Sequence, residues 1–483
     1  VCSSDLTQSP SNQLVSMKRG GSSGENAKKV DSSNPNQEDS SHVILEDPFI
    51  DQYEEEEIID GNEEDEEMAE EEFQNEEQEE KPHDVFKIGR DRLEEGEQLE
   101  VDNTAYRMYH RLNVEWPCLS FDIIADNLGA NRTRFPHTLY TVAGTQAENT
   151  LDNHIVVAKM YSLFKTQYDD DPDEAEPENY EEDAKVAFDT IPFHGAVNRI
   201  RCLPDRSQIV STWSDQGVVG IYNIVPQLTA LENGHSASDQ ENATRPIFQF
   251  KGHRTEGYAM DWCRCDKGKL ATGDCSGSIY VYHPSEAGWS VDRVPFLSHQ
   301  SSVEDIQWSP SEATVFASCS VDRTIKIWDT RSREHKAMLS VNAHTSDVNV
   351  ISWNREVGYL MVSGSDDGTF RVWDFRNNLS CSVGDFNYLN APITSVEWSP
   401  HDSSVLAVSS DEQLTIWDLS LEADAANEIQ DVPPQLLFVH AGQTAIKELH
   451  FHPQIPDMVV STAQDGFNCF IPDITVGEEM DEE

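Results

Sequence analysis

Short runs in which apolar and polar residues alternate recur from Phe193 onward, and they recur in register with one another. One unit reads Phe296-Leu-Ser-His299, Val303-Glu-Asp-Ile-Gln-Trp308-Ser-Pro310, Phe316-Ala-Ser-Cys-Ser-Val-Asp322 and Thr324-Ile-Lys-Ile-Trp328-Asp329. The next reads Val341-Asn-Ala-His344, Val348-Asn-Val-Ile-Ser-Trp353, Leu360-Met-Val-Ser-Gly-Ser-Asp-Asp367-Gly368 and Thr369-Phe-Arg-Val-Trp373-Asp374. His299 and His344 stand 45 residues apart; in both units His precedes Asp by 23 residues and Asp precedes Trp by 6. Segments such as Ile325-Lys-Ile-Trp328 send every second side chain to one face, the period of a half-buried strand. Asp322-Arg323 and Asp367-Gly368 stand where tight turns join such strands. A chain copying itself at this period predicts an all-β array of repeated sheets.

Other units are degenerate copies. One runs from His194 through Val210-Ser-Thr-Trp213 to Ile221-Tyr222, and another from Gly252-His253 to Ser278-Ile-Tyr-Val-Tyr282, with Ser276 at the place of the turn Asp. A third lacks the His but keeps Val396-Glu-Trp398-Ser-Pro400, Asp411 and Trp417-Asp418; the last runs from His440 through Phe451-His-Pro453 to Asp465-Gly466 and Phe470. Leu119–Ile124, Thr138–Ala143 and His154–Ala158 supply strands for a seventh unit. The pattern resembles the WD-repeat family, which implies a seven-bladed β-propeller, one four-stranded blade per unit, closed so that no sheet edge is left free. The resemblance also implies that His299, Ser318, Asp322 and Trp328, and likewise His344, Ser363, Asp367 and Trp373, are hydrogen-bonded sets that tie blades together. A His, an Asp and a Ser could suggest a hydrolase triad, but a set that recurs in successive units reads as structural.

Ahead of the ring, Asp102 or Asn103 can cap a helix in which Tyr106, Tyr109 and Leu112 recur at helical spacing before Pro117 stops it. The continuation Val114-Glu-Trp-Pro117 and the later Asp431-Val-Pro433-Pro434-Gln-Leu436-Leu437-Phe438 resemble the histone-binding WD-repeat proteins of the chromatin-assembly-factor small-subunit group. That resemblance implies a side groove formed by an N-terminal helix and the later loop, in which a helix of a basic partner docks. Its candidate residues are Tyr109, Leu112, Pro433, Pro434, Leu436 and Leu437, with Asp431 as the charge facing a partner Arg or Lys. The plainer reading places Leu436 to Phe438 in a blade's outer strand.

Charge then divides the chain. Of 483 residues, 89 are acidic and 34 are Lys or Arg, a net charge of −55. Residues 31–80 hold 23 Asp or Glu and no Lys or Arg, Asp169–Asp183 holds ten and Glu478–Glu483 five, so three stretches supply 38 of the 55. The expected organisation is a non-native or upstream segment 1–16, a disordered acidic arm 17–84, the helix segment 85–118, the propeller 119–476 with the acidic insertion 169–183, and an acidic tail 477–483. Blocks such as Glu54, Glu55, Glu56, Glu57, Glu63, Glu64, Asp65, Glu66 and Glu67 repel themselves and hold too little apolar surface to fold. With Asp169, Asp170 and Asp171 they are candidates for shielding a Lys/Arg-rich client, whose encounter such a field accelerates. The same field repels phosphates, so neither nucleic acid nor a membrane is expected as a direct partner, and no run of 18 apolar residues marks a span.

The remaining chemistry is sparse. Nine cysteines are scattered singly, which fits a reducing compartment, and Cys263-Arg-Cys265 lacks a second pair for zinc. Asp171 onward fails as a calcium loop because Glu176 occupies the position that needs Gly. With no phosphate loop and no nucleophile elbow, neither catalysis nor a cofactor is expected.

The glutamate tract, Ile88-Gly-Arg-Asp, Val114-Glu-Trp-Pro and the acidic insertion together resemble the glutamate-rich WD-repeat protein family. That implies a nuclear and nucleolar chaperone for a basic, newly made protein of the large ribosomal subunit, with histones as an alternative client. A third alternative is a ubiquitin-ligase adaptor as partner: Trp328-Asp-Thr-Arg331 and Trp373-Asp-Phe-Arg376 resemble WDxR boxes, which makes Arg331 and Arg376 contact candidates.

Overall fold

The computed structural model describes residues 17–20, 98–167, 183–234, 244–377, 381–422 and 432–474. The acidic candidates between Glu54 and Glu67, Asp169–Asp171 and Asp431 lie outside them. The described chain forms seven antiparallel blades of four strands, the third with a short fifth, plus a ladder between Met17–Gly20 and Gln98–Val101.

Blade 1 runs Cys118–Ile124, His137–Thr145, His154–Leu163, Lys185–Pro192, and blade 2 runs Val197–Leu203, Arg206–Ser214, Val219–Asn223, Phe248–Phe250. Blade 3 begins at Ala259–Trp262, blade 4 at Val303–Trp308, blade 5 at Val348–Trp353 and blade 6 at Ile393–Trp398. Blade 7 takes Glu448–Phe451, Val459–Ala463 and Gly466–Pro472 from the end of the described chain and Tyr106–Leu112 from its beginning. First strands of successive blades pack side by side around the ring, and Glu448–Phe451 meets Cys118–Ile124, so the ring closes. Seven hydrophobic clusters occupy the seven gaps between neighbouring blades. Each blade therefore buries its apolar faces only against its two neighbours.

The sequence expectation of a helix from Asp102 to Leu112 is corrected here. The cap is real: the Asp102 side chain accepts the Thr104 N–H, but it opens a single 3-10 turn, Asn103–Ala105, and Tyr106–Leu112 is strand. The three-residue spacing that suggested a helix has another cause. The ladder to Gly466–Pro472 shifts register between Tyr106 and Met108, and this irregularity brings Tyr106 and Tyr109 together as stacked rings 5.0 Å apart. Pairing with an otherwise open blade edge outweighs local propensity. Gly466, at φ +126°, makes the junction possible, since a Cβ there would lie 2.2 Å from the Leu112 carbonyl oxygen. One helix is present among the described residues, Val225–Asn233, inside the insertion that reads as polar; Leu228 and Leu231 pack it onto the cluster between blades 1 and 2.

Candidate functional site

The repeated His sets are structural. In blade 4, His299 Nε2 lies 2.7 Å from Ser318 Oγ and Nδ1 2.9 Å from Asp322 Oδ2, while Trp328 Nε1 donates to Ser318 Oγ at 2.8 Å. Blade 5 repeats this with His344, Ser363, Asp367 and Trp373 at 2.7, 3.3 and 2.9 Å. Burial lowers the imidazole of His344 to about 4. Burial alone would raise Asp322, and hydrogen bonds from His299 and Thr324 more than reverse it, holding the carboxylate well below its usual range. Ser318 is fully buried and already accepts the indole N–H, so its hydroxyl cannot reach a substrate. Blade 3 holds a variant that sequence reading missed: Ser276 takes the turn position, and Asp274, two residues earlier, supplies the carboxylate 2.9 Å from His253 Nδ1. Thr272 and Tyr282 replace Ser and Trp, with oxygens 3.0 Å apart.

The predicted side groove is only partly assembled. Tyr109 and Leu437 both pack against the cluster between blades 6 and 7. A concavity of ≈ 380 Å³ there has Leu437, Val405, Ile416 and Ile474 in its wall and Asp402 and Asp457 at its edge. Pro433 and Pro434 are half-buried just before the outer strand Leu436–Ala441. Leu436 is a correction: strand alternation turns it inward, fully buried between blades 5 and 6, where no partner can touch it. Leu112 faces away from this groove, in the gap between blades 7 and 1.

Where the first strands meet, charged side chains converge on a cavity of ≈ 210 Å³. Glu448 Oε1 accepts from Arg199 Nη1 at 2.7 Å and Arg201 Nη2 at 2.6 Å, and Oε2 accepts the Phe121 N–H at 2.8 Å. His450 Nδ1 is 2.8 Å from Glu397 Oε2; burial opposes its charge, but Glu397 and Glu448 outweigh burial and raise it to about 10. Burial pushes Asp261 up to about 7 although it accepts the Trp308 N–H at 2.7 Å. Neighbouring opposite charges in this network largely satisfy one another.

Arg331 and Arg376 project from blades 4 and 5 with side chains 70% and 62% exposed. Each guanidinium grips the Asp two residues earlier, Arg331 Nη2 on Asp329 and Arg376 Nη2 on Asp374 at 2.6 Å, and Arg376 also lies 3.6 Å over the Tyr359 ring.

A second concavity, unread in the sequence, opens between blades 7 and 1. Its ≈ 500 Å³ is walled by Leu112, Val114, Trp116, Met160, Val186 and Phe188, with Ala143 and Ala158 also in its lining. The signal available was alternation: Ile155, Val157 and Ile191 turn toward blade 2, leaving Val156, Ala158, Thr190 and Phe188 on the opposite face.

Residues 96–163, the closing strand and most of blade 1, match the family model for histone-binding protein RBBP4 and its counterpart in the CAF1 complex. Residues 292–329, 336–374 and 385–418 match the WD domain, G-beta repeat. The chain is 48% identical to glutamate-rich WD repeat-containing protein 1 of Dictyostelium discoideum over 80% of this chain and 85% of that one. The chain belongs to the glutamate-rich WD-repeat protein family. Within that family's reach it is also 44% identical to protein HEAT STRESS TOLERANT DWD 1 of Arabidopsis thaliana, over 81% of this chain and 92% of the relative. It is 42% identical to ribosome assembly protein rrb1 of Schizosaccharomyces pombe, over 78% and 82% respectively.

Proposed function

We propose that this glutamate-rich WD-repeat protein works without catalysis in ribosome assembly, in the nucleus and nucleolus, as a chaperone for a strongly basic, newly made protein of the large subunit. The observation that carries the reading is the 42% identity, spanning most of both chains, to a protein named for ribosome assembly. The charge pattern supports it: acidic stretches including Glu54–Glu67 and Asp169–Asp183 can occupy client Lys and Arg side chains until phosphate-rich RNA competes for them. The test is co-purification of newly made ribosomal proteins with the full chain, against a variant lacking residues 54–80. Unchanged client solubility and salt sensitivity in that variant would refute the shielding part.

Two alternatives have observations in their favour. The match over residues 96–163 favours a histone client, and competition between core histones and ribosomal proteins at near-physiological salt decides it. The two exposed guanidiniums favour docking on a ligase adaptor, which requires Arg331→Ala and Arg376→Ala to weaken adaptor capture.

A further inference from the structure

We propose that the cleft between blades 7 and 1 anchors apolar side chains of a Lys/Arg-rich polypeptide segment, adding a specific grip to electrostatic shielding. This rests on the reading of the client as a basic protein.

The cleft is a piece of sheet face left without a partner blade. Elsewhere this face is filled: in blade 4 the paired Phe316 and Trp328 turn toward blade 3 and pack with Phe296. Blade 1 offers Thr141 paired with Ala158 and Ala143 paired with Val156, side chains too small to span the gap. Blade 7 does not make up the difference, because its closing strand ends at Leu112 and the chain leaves through Asn113–Pro117 without a ladder. Phe188 is consequently 67% exposed and Val186 40% exposed, side by side on one face of a blade-edge strand. Apolar surface held open in a concave site is what an apolar side chain fills.

Charge selects the occupant. Among the described residues lining the cleft, Glu115 alone carries a formal charge, and it is exposed. The wall strand that bears Val186 and Phe188 begins at Lys185, two residues after the sequence stretch Asp169–Asp183 with its ten carboxylates. A segment approaching this wall meets strong negative charge and then an apolar slot, so the complementary ligand alternates cationic with apolar side chains.

The experiment measures binding of short fluorescein-labelled peptides to the full chain at near-physiological salt by anisotropy. One peptide alternates Lys with Leu, one of equal charge alternates Lys with Ser, and one alternates Glu with Leu. The expected result is that Lys/Leu binds at least about tenfold more tightly than Lys/Ser and that Glu/Leu does not bind. Phe188→Ser, at an exposed position, and Ala158→Phe, which fills the slot, should bring Lys/Leu down to the Lys/Ser level and leave Lys/Ser unchanged; if Ala158→Phe fails to fold, Phe188→Ser still decides. Equal binding of the two basic peptides would overturn the cleft while leaving charge shielding intact, whereas failure of both to bind would overturn the basic-client reading as well. A Lys/Leu preference that survives Phe188→Ser would place the apolar grip elsewhere, and Glu/Leu binding as tight as Lys/Leu would remove the charge selection. Photo-crosslinking from position 188 that captured residues 21–97 or a second copy of the chain would assign the slot to that occupant and end the proposal.

Discussion

Asp261 carries a carboxyl that the surrounding ring would rather keep protonated. Its value near 7 lies above the ordinary 3.8, so the folded state is favoured by this group below pH 3.8, and that contribution is lost as pH rises through 7. Asp261→Asn keeps an oxygen for the Trp308 N–H, and it should raise unfolding stability at pH 8 by about 1–3 kcal/mol, with the gain vanishing by pH 4. His450 runs the other way in sign of charge. Its folded value near 10 exceeds 6.5, so its contribution is complete below pH 6.5 and lost as pH rises through 10; His450→Gln should therefore cost most at pH 6 and little at pH 10. Urea unfolding across pH reads both. In the blade sets, Ser318→Ala strands the Trp328 N–H and the His299 ring, a loss of about 1–3 kcal/mol in the same assay. Arg331→Ala and Arg376→Ala, on exposed side chains paired within their own strands, should leave unfolding midpoints where they were.

The strand Tyr106–Leu112 does for the whole ring what a single hydrogen bond does for a turn. Tyr106 OH sits 2.8 Å from His440 Nδ1 in the buried seam between blades 6 and 7, and Tyr106→Phe should cost about 0.5–1.5 kcal/mol. Gly466→Val should cost considerably more, because both the backbone angle and the Leu112 carbonyl oppose a side chain, and hydrogen exchange should show blade 7 loosening first. The strongly repeated units were legible in sequence because their three spacings agree and each residue type has one place in the hydrogen-bonded set. The closing strand was not, because local spacing cannot distinguish a helical stripe from a strand with a register shift; its partner lies at the far end of the described chain. Blade 3 escaped for a related reason: Asp274 reaches His253 from two positions before the expected one, a distance visible only in three dimensions. In the predicted groove, Pro433, Pro434 and Leu437 stayed near the surface, while the two-residue period of the strand took Leu436 inside.

At the scale of the molecule, stability and charge reside in different parts. Seven interblade clusters hold the ring, and the densest acidic stretches lie at sequence positions outside those clusters. Removing residues 54–80 should therefore leave urea unfolding of the ring unchanged while flattening the salt dependence of binding to a basic probe such as polylysine, measured between low and near-physiological salt. The closed ring also imposes a timetable. Tyr106 pairs with Pro472, about 370 residues later, which at typical synthesis rates is a wait of roughly 20–70 s. During that interval the first-made strand has no partner, and Tyr106 and Met108, both fully buried in the finished ring, face solvent or a chaperone. A nascent chain halted before Gly466 keeps that strand open to protease, and release of the completed chain seals it. The last residues to leave the ribosome thus finish a blade begun by the first.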